Sequence, residues 1–380
     1  MSNLHTPLCD LLEIDVPILQ AGMGRGIGST TTPALVAAAS EAGGMGCLGA
    51  TGMTPEEIRA AIREIRNLTS RTFAVDLLLP ASLADADVPR EDVRRLVERE
   101  HPEHWRFAQS LYERFQLDPS VKHPQEWALS PTLMRRQTEV VLEEKVPVFV
   151  SGLGDPAWVV PLAAEAGIKV MGLVGSPRHA ERQKAAGVDV VIAQGYEAGG
   201  HTGTIATLAL VPQVVDQVSP TPVVAAGGIA DGRTVAAALA LGAQGVWCGT
   251  AFLFANEANV HPTMRRQLTE AAARDVVTGR FYTGKTSRVI QNEMTRAWAG
   301  SGLDALPMPL QTVLMDDLTY SAEQADRFDL INNPAGQIAG MLREHEPAAA
   351  ILKRMAAQAA EVIASLTAYV EAGSASRIKA

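Results

Sequence analysis

"VDVVIAQGYEAGGHTGTIATLALVPQVVDQVSPTPVVAAGG", residues 188–228, contains one full repeat of the pattern that decides the fold. An apolar run leads into a glycine-rich loop, a helical pattern follows around 207–218, and a second apolar run begins at residue 221. Short, nearly continuous apolar runs are typical of parallel strands that helices cover on the outside. The stretch therefore predicts a β–α–β unit.

The same alternation extends to both sides of this stretch. Eight βα units in about 240 residues match a (β/α)8 TIM barrel, whereas a doubly wound sheet usually has fewer strands. The α/β class and the barrel are therefore the predicted fold. The predicted strands are 17–23, 45–52, 72–80, 146–154, 168–176, 188–195, 221–228 and 243–253.

The repeat is interrupted after the third predicted strand. Residues 81 to about 130 are charged and show no clear strand, which predicts a partly helical insertion. "AAAILKRMAAQAAEVIASLTAYV" (348–370) is strongly periodic and predicts a helix that packs on the barrel or contacts a second subunit, so a homodimer stays open. We expect a barrel over 1–254, with insertion 81–130, and a mostly helical C-terminal extension over 255–380.

Composition excludes several classes of function. The chain has 380 residues, a formal charge of -9 and no basic block, so nucleic acid is not an expected partner. It has no apolar run long enough for a membrane span and no signal-peptide pattern at the N-terminus. Cys9, Cys47 and Cys248 form no CxxC pair, which predicts a reduced, cytoplasmic protein without a cysteine metal site.

The expected strand ends indicate the kind of site. In a TIM barrel the active site lies at the carboxyl ends of the strands. Here these ends carry mostly glycine, alanine and small polar residues, with Asp76 near the end of the third strand. They contain no carboxylate cluster and no His–Asp–His set, which argues against a metal hydrolase. We therefore expect no bound metal ion. A flat organic cofactor that lies close to the backbone is the expected ligand.

Two glycine-rich strand ends predict a phosphate site. "AAGGIADG" and "CGTAF" place Gly227, Gly228, Gly249 and Thr250 at the ends of the seventh and eighth strands. Adjacent glycines expose backbone N–H groups, and a helix that starts near Asp231 would add its positive end. The alternative is that these glycines only form tight corners of the barrel.

The loop "AQGYEAGGHTGT" (193–204) contains the candidate catalytic residue. Four glycines surround His201, and glycine permits positive φ and close approach of the backbone to a ligand. An imidazole of near-neutral pKa suits proton transfer next to a nitro or carbonyl group. The alternatives are a flexible loop and a histidine that only forms hydrogen bonds, and we expect Glu197 to brace the loop rather than to catalyse.

Several of these motifs together resemble the nitronate monooxygenase family, formerly the 2-nitropropane dioxygenases. The same group of FMN-dependent barrels includes a flavin-dependent enoyl-acyl-carrier-protein reductase. The resemblance is clear over 14–80 and 146–254 and loose over 333–351. The motifs are "PILQAGM", "EAGGMGCLGATGMTPEEI", "FAVDLLLP", "AQGYEAGGHTG", "LALVPQVVDQV", "PVVAAGGIADG" and "GAQGVWCGTAFL".

The resemblance implies non-covalent FMN across the mouth of the barrel, with His201 as the active-site histidine. It implies that the backbone of Ala21, Gly22 and Met23 faces the flavin ring and that Gln194 hydrogen-bonds the ring or the ribityl chain. Further residues implied to contact the cofactor are Gly199 and Gly200 near the ring and Gly227, Gly228, Gly249 and Thr250 at the phosphate.

Asp76 departs from the family pattern, which usually has asparagine at this position of "FAVDLLLP". An asparagine amide can donate a hydrogen bond to a flavin carbonyl, and an ionised aspartate cannot. Three explanations stay open: a protonated Asp76, an arginine partner, or a changed substrate.

Two activities follow from the resemblance. The first is FMN-dependent oxidation of nitronates or nitroalkanes with O₂ to a carbonyl compound and nitrite, with His201 as the base for the neutral nitroalkane. The second is an enoyl reductase or dehydrogenase that uses NAD(P)H and an acyl thioester. A non-catalytic flavin-binding barrel is a third hypothesis. In the first two cases the partners are small molecules.

Overall fold

A computed structural model of the chain describes residues 4–24, 29–79 and 87–377. Eight parallel strands form one sheet, in which the neighbouring strands are, in order, residues 18–20, 245–248, 223–226, 190–194, 169–174, 148–154, 73–79 and 46–49. The Gln20 backbone N–H donates to Met45 O at 2.8 Å and the Met45 N–H to Ile18 O at 3.2 Å, which joins the two edges. The predicted TIM barrel is confirmed. Its strands are β1 (Ile18–Gln20), β2 (Gly46–Gly49), β3 (Phe73–Leu79), β4 (Val148–Gly154), β5 (Lys169–Val174), β6 (Val190–Gln194), β7 (Val223–Ala226) and β8 (Gly245–Cys248).

Local capping signals explain where many helices begin. The helix Pro55–Leu68 starts with a capping box, in which Thr54 Oγ1 accepts from the Glu57 N–H and Glu57 Oε2 accepts from the Thr54 N–H. No helix in the described residues is long and apolar enough to cross a membrane. The helices are Pro7–Leu12, Pro33–Glu41, Pro55–Leu68, Arg90–Glu100, Pro102–Phe115, Pro131–Glu143, Val160–Ala166, Pro177–Ala186, Thr207–Val218, Gly232–Ala240, Thr250–Leu253, Pro262–Glu270, Glu293–Ala299, Leu310–Gln324 and Ala348–Arg377.

The N-terminal helix Pro7–Leu12 closes the amino end of the barrel. Leu8 is fully buried and belongs to the same apolar cluster as the inward-facing Met171 and Ile192. Thr6 Oγ1 donates to Gln244 O, directly before β8. Because this end is filled, the carboxyl ends of the strands are the open face of the barrel.

The insertion and the C-terminal part share a second hydrophobic core. Leu111 and Tyr112 of the insertion pack in one cluster with Trp298 and Leu318, and Arg94 forms two hydrogen bonds of 2.8 Å with Asp317. The insertion is partly helical, as predicted, with Arg90–Glu100 and Pro102–Phe115, and it also contains two short strands that the sequence did not show. Val88–Pro89 and Trp127–Leu129 pair antiparallel, and they are too short to show an alternating pattern. Residues 81–86 lie outside the described part, and the domain boundary after residue 254 stays a prediction.

The long helix Ala348–Arg377 begins against the outer surface of the barrel. Leu352, Met355 and Ala359 are buried there. Contact with the helix Gly232–Ala240 is so close that a Cβ on Gly232 would lie 2.3 Å from the Ala359 nitrogen. The first turns of this helix therefore cover the start of the helix that follows β7.

Candidate active site

One cavity of about 1000 Å³ opens at the carboxyl ends of the strands. The structure brings together every residue that the sequence predicted for the site, although it does not test their roles. Those residues, all of which line the cavity, are Ala21, Gly22, Met23, Asp76, Gln194, Gly199, Gly200, His201, Gly227, Gly228, Gly249 and Thr250.

The glycine–histidine loop is held on two sides. Gly200–His201 is a short strand that pairs antiparallel with Ser287–Ile290, which in turn pairs with Val276–Gly279. Gln194 Nε2 donates to His201 O at 2.6 Å, so this amide group braces the loop and leaves Oε1 for a ligand. On the other side, a Cβ on Gly199 would lie 2.6 Å from the Ala335 carbonyl carbon. The alternative of a flexible loop is therefore wrong.

Arg288 and Glu197 fix the first half of this loop. The Arg288 side chain is 2% exposed, donates twice to Tyr196 O and lies over the Tyr196 ring at 4.3 Å. Glu197 Oε2 accepts from the Thr207 N–H and hydroxyl, each at 2.9 Å. It thereby caps the helix Thr207–Val218. The structure confirms that Glu197 braces the loop.

The His201 ring is positioned by Thr283. Its Nε2 lies 2.9 Å from Thr283 Oγ1, and no hydrogen bond to Nδ1 occurs among the described residues. Burial, with a smaller effect from the Lys285 cation, lowers the His201 pKa to about 4. The expectation of a near-neutral pKa is therefore wrong, because water-poor surroundings and a nearby positive charge both disfavour the imidazolium. The ring is neutral at pH 7, the form that can accept a proton.

The residues predicted for the phosphate end offer mainly backbone groups to the cavity. Gly227 and Gly228 take consecutive positive φ angles of 88° and 78°, which non-glycine residues rarely adopt. Thr250 Oγ1 accepts from the Gly336 N–H at 2.9 Å. The expectation that the helix starting near Asp231 directs its positive end at the phosphate is wrong. The Asp231 carboxylate caps that helix itself, and the start of the helix lies beneath Ala348–Arg377.

Two cavity-lining side chains have buried polar atoms without a hydrogen-bond partner: Asp76 Oδ1 and Asn332 Oδ1. Buried polar groups are normally paired, so unpaired atoms around one cavity indicate a ligand that supplies partners. These oxygens accept hydrogen bonds, and a flavin has a ring N–H group and ribityl hydroxyl groups that can donate them. Together with the exposed backbone at Gly227 and Gly228, these residues fit the expected cofactor.

Sequence reasoning missed the C-terminal wall of the cavity. Thr283, Lys285, Asn332 and Gly336 all line it. Lys285 forms no side-chain hydrogen bond or ion pair with the described residues, so its charge is available to a ligand. The only sequence signal for this wall was the loose resemblance over 333–351, because residues 255–330 carry no motif that we could name.

Three histidines of the insertion, His101, His104 and His123, do not form a metal site in the described structure. His104 Nε2 bonds Asp304 O at 2.8 Å, and the buried His123 ring packs edge-on against Tyr320. In residues 4–24, 29–79 and 87–377, no group of three or more His, Cys, Asp or Glu side chains could hold a metal ion.

The parallel eight-stranded barrel, with a histidine in the cavity at its mouth, places the protein in the class of TIM-barrel proteins with a site at the carboxyl ends of the strands. The family model "Nitronate monooxygenase" matches residues 5–358. The chain belongs to this family of flavin-dependent enzymes.

Individual relatives support this assignment. The chain is 35% identical over 383 residues to the Mycobacterium tuberculosis protein named "Putative monooxygenase Rv1533", covering 97% of this chain and 100% of the relative. A solved nitroalkane oxidase from Streptomyces ansochromogenes is 30% identical with a TM-score of 0.79, covering 94% of this chain and 99% of that one. FabK from Thermotoga maritima is 32% identical with a TM-score of 0.76, covering 96% and 99%.

Proposed function

We propose that the protein is an FMN-dependent nitronate monooxygenase, which oxidises nitronates or nitroalkanes with O₂ to a carbonyl compound and nitrite. The observation that carries the proposal is the neutral His201 ring, held in the cavity by Thr283. Family membership and the likeness to a nitroalkane oxidase support the reaction class.

The residues of the cavity have distinct roles in this proposal. With the Nε2 proton donated to Thr283 Oγ1, the free Nδ1 of His201 accepts the proton from the carbon next to the nitro group. The Lys285 cation favours the negative charge that this step creates on the substrate. Bound FMN would supply the electron acceptor. A pre-formed nitronate already carries the negative charge, so it needs no base.

Cofactor binding is assigned to three parts of the cavity. The backbone at Gly227 and Gly228, with Gly249 and Thr250, holds the phosphate, and the backbone of Ala21, Gly22 and Met23 borders the ring. The side chains of Asp76 and Gln194 provide polar contacts, with Gly199 and Gly200 close to the ring. A homodimer and NAD(P)H as a co-substrate remain predictions.

An anaerobic flavin-reduction experiment tests the function. The purified protein is mixed with a nitronate, and in a separate sample with NADH or NADPH, while the visible absorption of the flavin is recorded. We expect the nitronate to bleach the flavin and O₂ to restore the colour, with nitrite as a product. Bleaching by NADH or NADPH but not by a nitronate would contradict the proposal.

A second candidate function is an NAD(P)H-dependent enoyl reductase or dehydrogenase. The size of the cavity favours it: about 1000 Å³ lies at the upper end of the usual range of about 300–1,000 Å³ for ligand sites, so there is room for a cofactor and a long substrate. His179 and Arg182 at the exposed edge would suit an anionic group. The same anaerobic experiment separates the two functions.

A further inference from the structure

Asp76 lies where the first four strands of the barrel meet the cavity. In the sheet it pairs with Gly49 of β2 and Val150 of β4. A Cβ on Gly22 would lie 2.6 Å from Asp76 Cβ, and a Cβ on Gly152 would lie 2.5 Å from Asp76 Oδ1. Two neighbouring glycines thus leave the space that this carboxyl group occupies at the floor of the cavity.

No cation neutralises this carboxyl group in the described residues. Its Oδ1 atom is buried without a hydrogen-bond partner, and the arginine partner considered from the sequence is absent from residues 4–24, 29–79 and 87–377. The titratable neighbour is the buried Cys47 thiol of β2, whose pKa is raised chiefly by burial, so it is neutral beside Asp76. The adjacent Gly22 and Gly152 carry no ionisable side chain.

Asp76 is half-buried and its Oδ1 atom is shielded from solvent, so an ionised carboxylate at this place would be unfavourable. Burial of a charge without a partner is costly, and such groups take up a proton instead. Burial raises the pKa of Asp76 well above its usual value, and the Gly152 N–H offsets only part of this effect. A neutral carboxylic acid has an O–H group that can donate a hydrogen bond, as an asparagine amide can.

We propose that Asp76 is a neutral carboxylic acid that donates a hydrogen bond to an acceptor of the bound flavin, replacing the asparagine of the resembling family. This inference rests on the flavin site of the proposed function. It accounts for the departure from the family pattern without a changed substrate, because the hydrogen-bond donor is retained.

Infrared difference spectroscopy of the flavin-loaded protein tests the protonation state. Photoreduction of the flavin should shift the carbonyl band of a protonated carboxyl in the wild type, and labelling with ¹³C-aspartate should move that band. Asp76→Asn should abolish the signal, whereas Asp155→Asn, at an exposed aspartate that lines the same cavity, should leave it unchanged. The half-buried Asp316 carboxyl, whose pKa is also raised by burial, pairs with Arg90 beside the second core and should cancel in the difference. A wild-type spectrum without the protonated carboxyl band would refute the inference. This outcome does not depend on whether any variant folds.

Flavin affinity tests the hydrogen bond itself. Asp76→Asn retains a donor of the same shape, so its FMN dissociation constant should stay within about twofold of the wild type. Asp76→Leu removes the donor and should weaken binding roughly 3- to 10-fold, the usual worth of one neutral hydrogen bond. Unchanged affinity in Asp76→Leu would refute the contact.

The two proposals can fail separately. If a nitronate bleaches the flavin but the spectrum lacks the protonated carboxyl band, the proposed function stands and the role of Asp76 is refuted. A protein that shows the band but is not reduced by a nitronate supports Asp76 and refutes the function.

Discussion

Thr283 Oγ1 lies 2.9 Å from His201 Nε2, although 82 positions of sequence separate the two residues. Thr283 is in the connection between Val276–Gly279 and Ser287–Ile290, and the latter strand pairs with Gly200–His201. The orientation of the candidate base therefore depends on the C-terminal part of the chain. The barrel provides the loop, and the C-terminal strands determine where its histidine points.

Replacing Thr283 should weaken proton abstraction without removing the base. In Thr283→Val the His201 ring loses the partner that orients Nε2, and we expect kcat/KM for a neutral nitroalkane to fall about 3- to 10-fold. Thr283→Ser retains a hydroxyl group and should restore most of the activity. Steady-state kinetics with nitroethane measures both variants. Equal losses in the two variants would contradict this role of the hydrogen bond, because serine retains the hydroxyl group and valine lacks it.

The pH dependence of kcat/KM should report the lowered pKa of His201. The base must be neutral, so activity is present above a pH of about 4 and is lost as the pH falls through that value. Lys285→Met removes a cation that lowers this pKa, so the loss should begin at higher pH. Arg182→Met is the matched control, because Arg182 lines the cavity without affecting the His201 pKa. An unshifted profile in Lys285→Met would contradict the electrostatic account.

The purified protein should be yellow and contain non-covalent FMN rather than FAD. In the proposed cofactor site a single phosphate would bind at the backbone of Gly227 and Gly228, which lines the cavity. Acid treatment should release the cofactor, and chromatography against standards identifies it. Recovery of FAD, or no flavin uptake after reconstitution, would show that the cofactor assignment is wrong.

Gly228→Val should cause loss of FMN while the fold is retained. The valine would have to adopt a φ of 78°, and its Cβ would lie 3.6 Å from Glu197 Cβ, so strain at this position should displace the backbone N–H groups that we propose for the phosphate. Losing such a charge-assisted contact should weaken FMN binding about 10- to 100-fold. Gly302→Val is the matched control, since Gly302 has a φ of 73° and open space around it. Both variants share a backbone cost of about 1–2 kcal/mol, so only a difference in FMN binding tests the phosphate site.

The barrel could be predicted because its signals are local. The helix expected around 207–218 is Thr207–Val218, and the strand expected at 188–195 is Val190–Gln194. An apolar run, a helix cap and a glycine stop each act over a few residues, and their repetition reveals the number of units.

The C-terminal wall of the site could not be predicted in the same way. Pairing of Gly200–His201 with Ser287–Ile290 depends on tertiary packing, and the short strands leave no periodic pattern. The pKa of His201 depends on burial by that wall and on Lys285. Asp231 was recognisable as a helix start, but the distant Ala348–Arg377 helix that covers it was not.

His201→Asn tests the role of the loop directly. Asparagine retains a hydrogen-bonding side chain of similar reach but cannot act as a base near pH 7. Flavin should stay bound, because the backbone glycines provide the main contacts. Turnover of a neutral nitroalkane should fall by about 10²–10⁴-fold, the usual effect of a positioned general base, whereas a pre-formed nitronate should lose much less.

Comparing the two substrates separates the possible roles of His201, with FMN content measured in the same samples. If turnover of both substrates falls equally while FMN remains, the histidine positions the substrate or affects the flavin rather than accepting a proton. If neither falls, its 2.9 Å contact with Thr283 Oγ1 serves only to hold the Gly200–His201 strand against Ser287–Ile290. A selective loss with the neutral nitroalkane is the result that requires a base at this position.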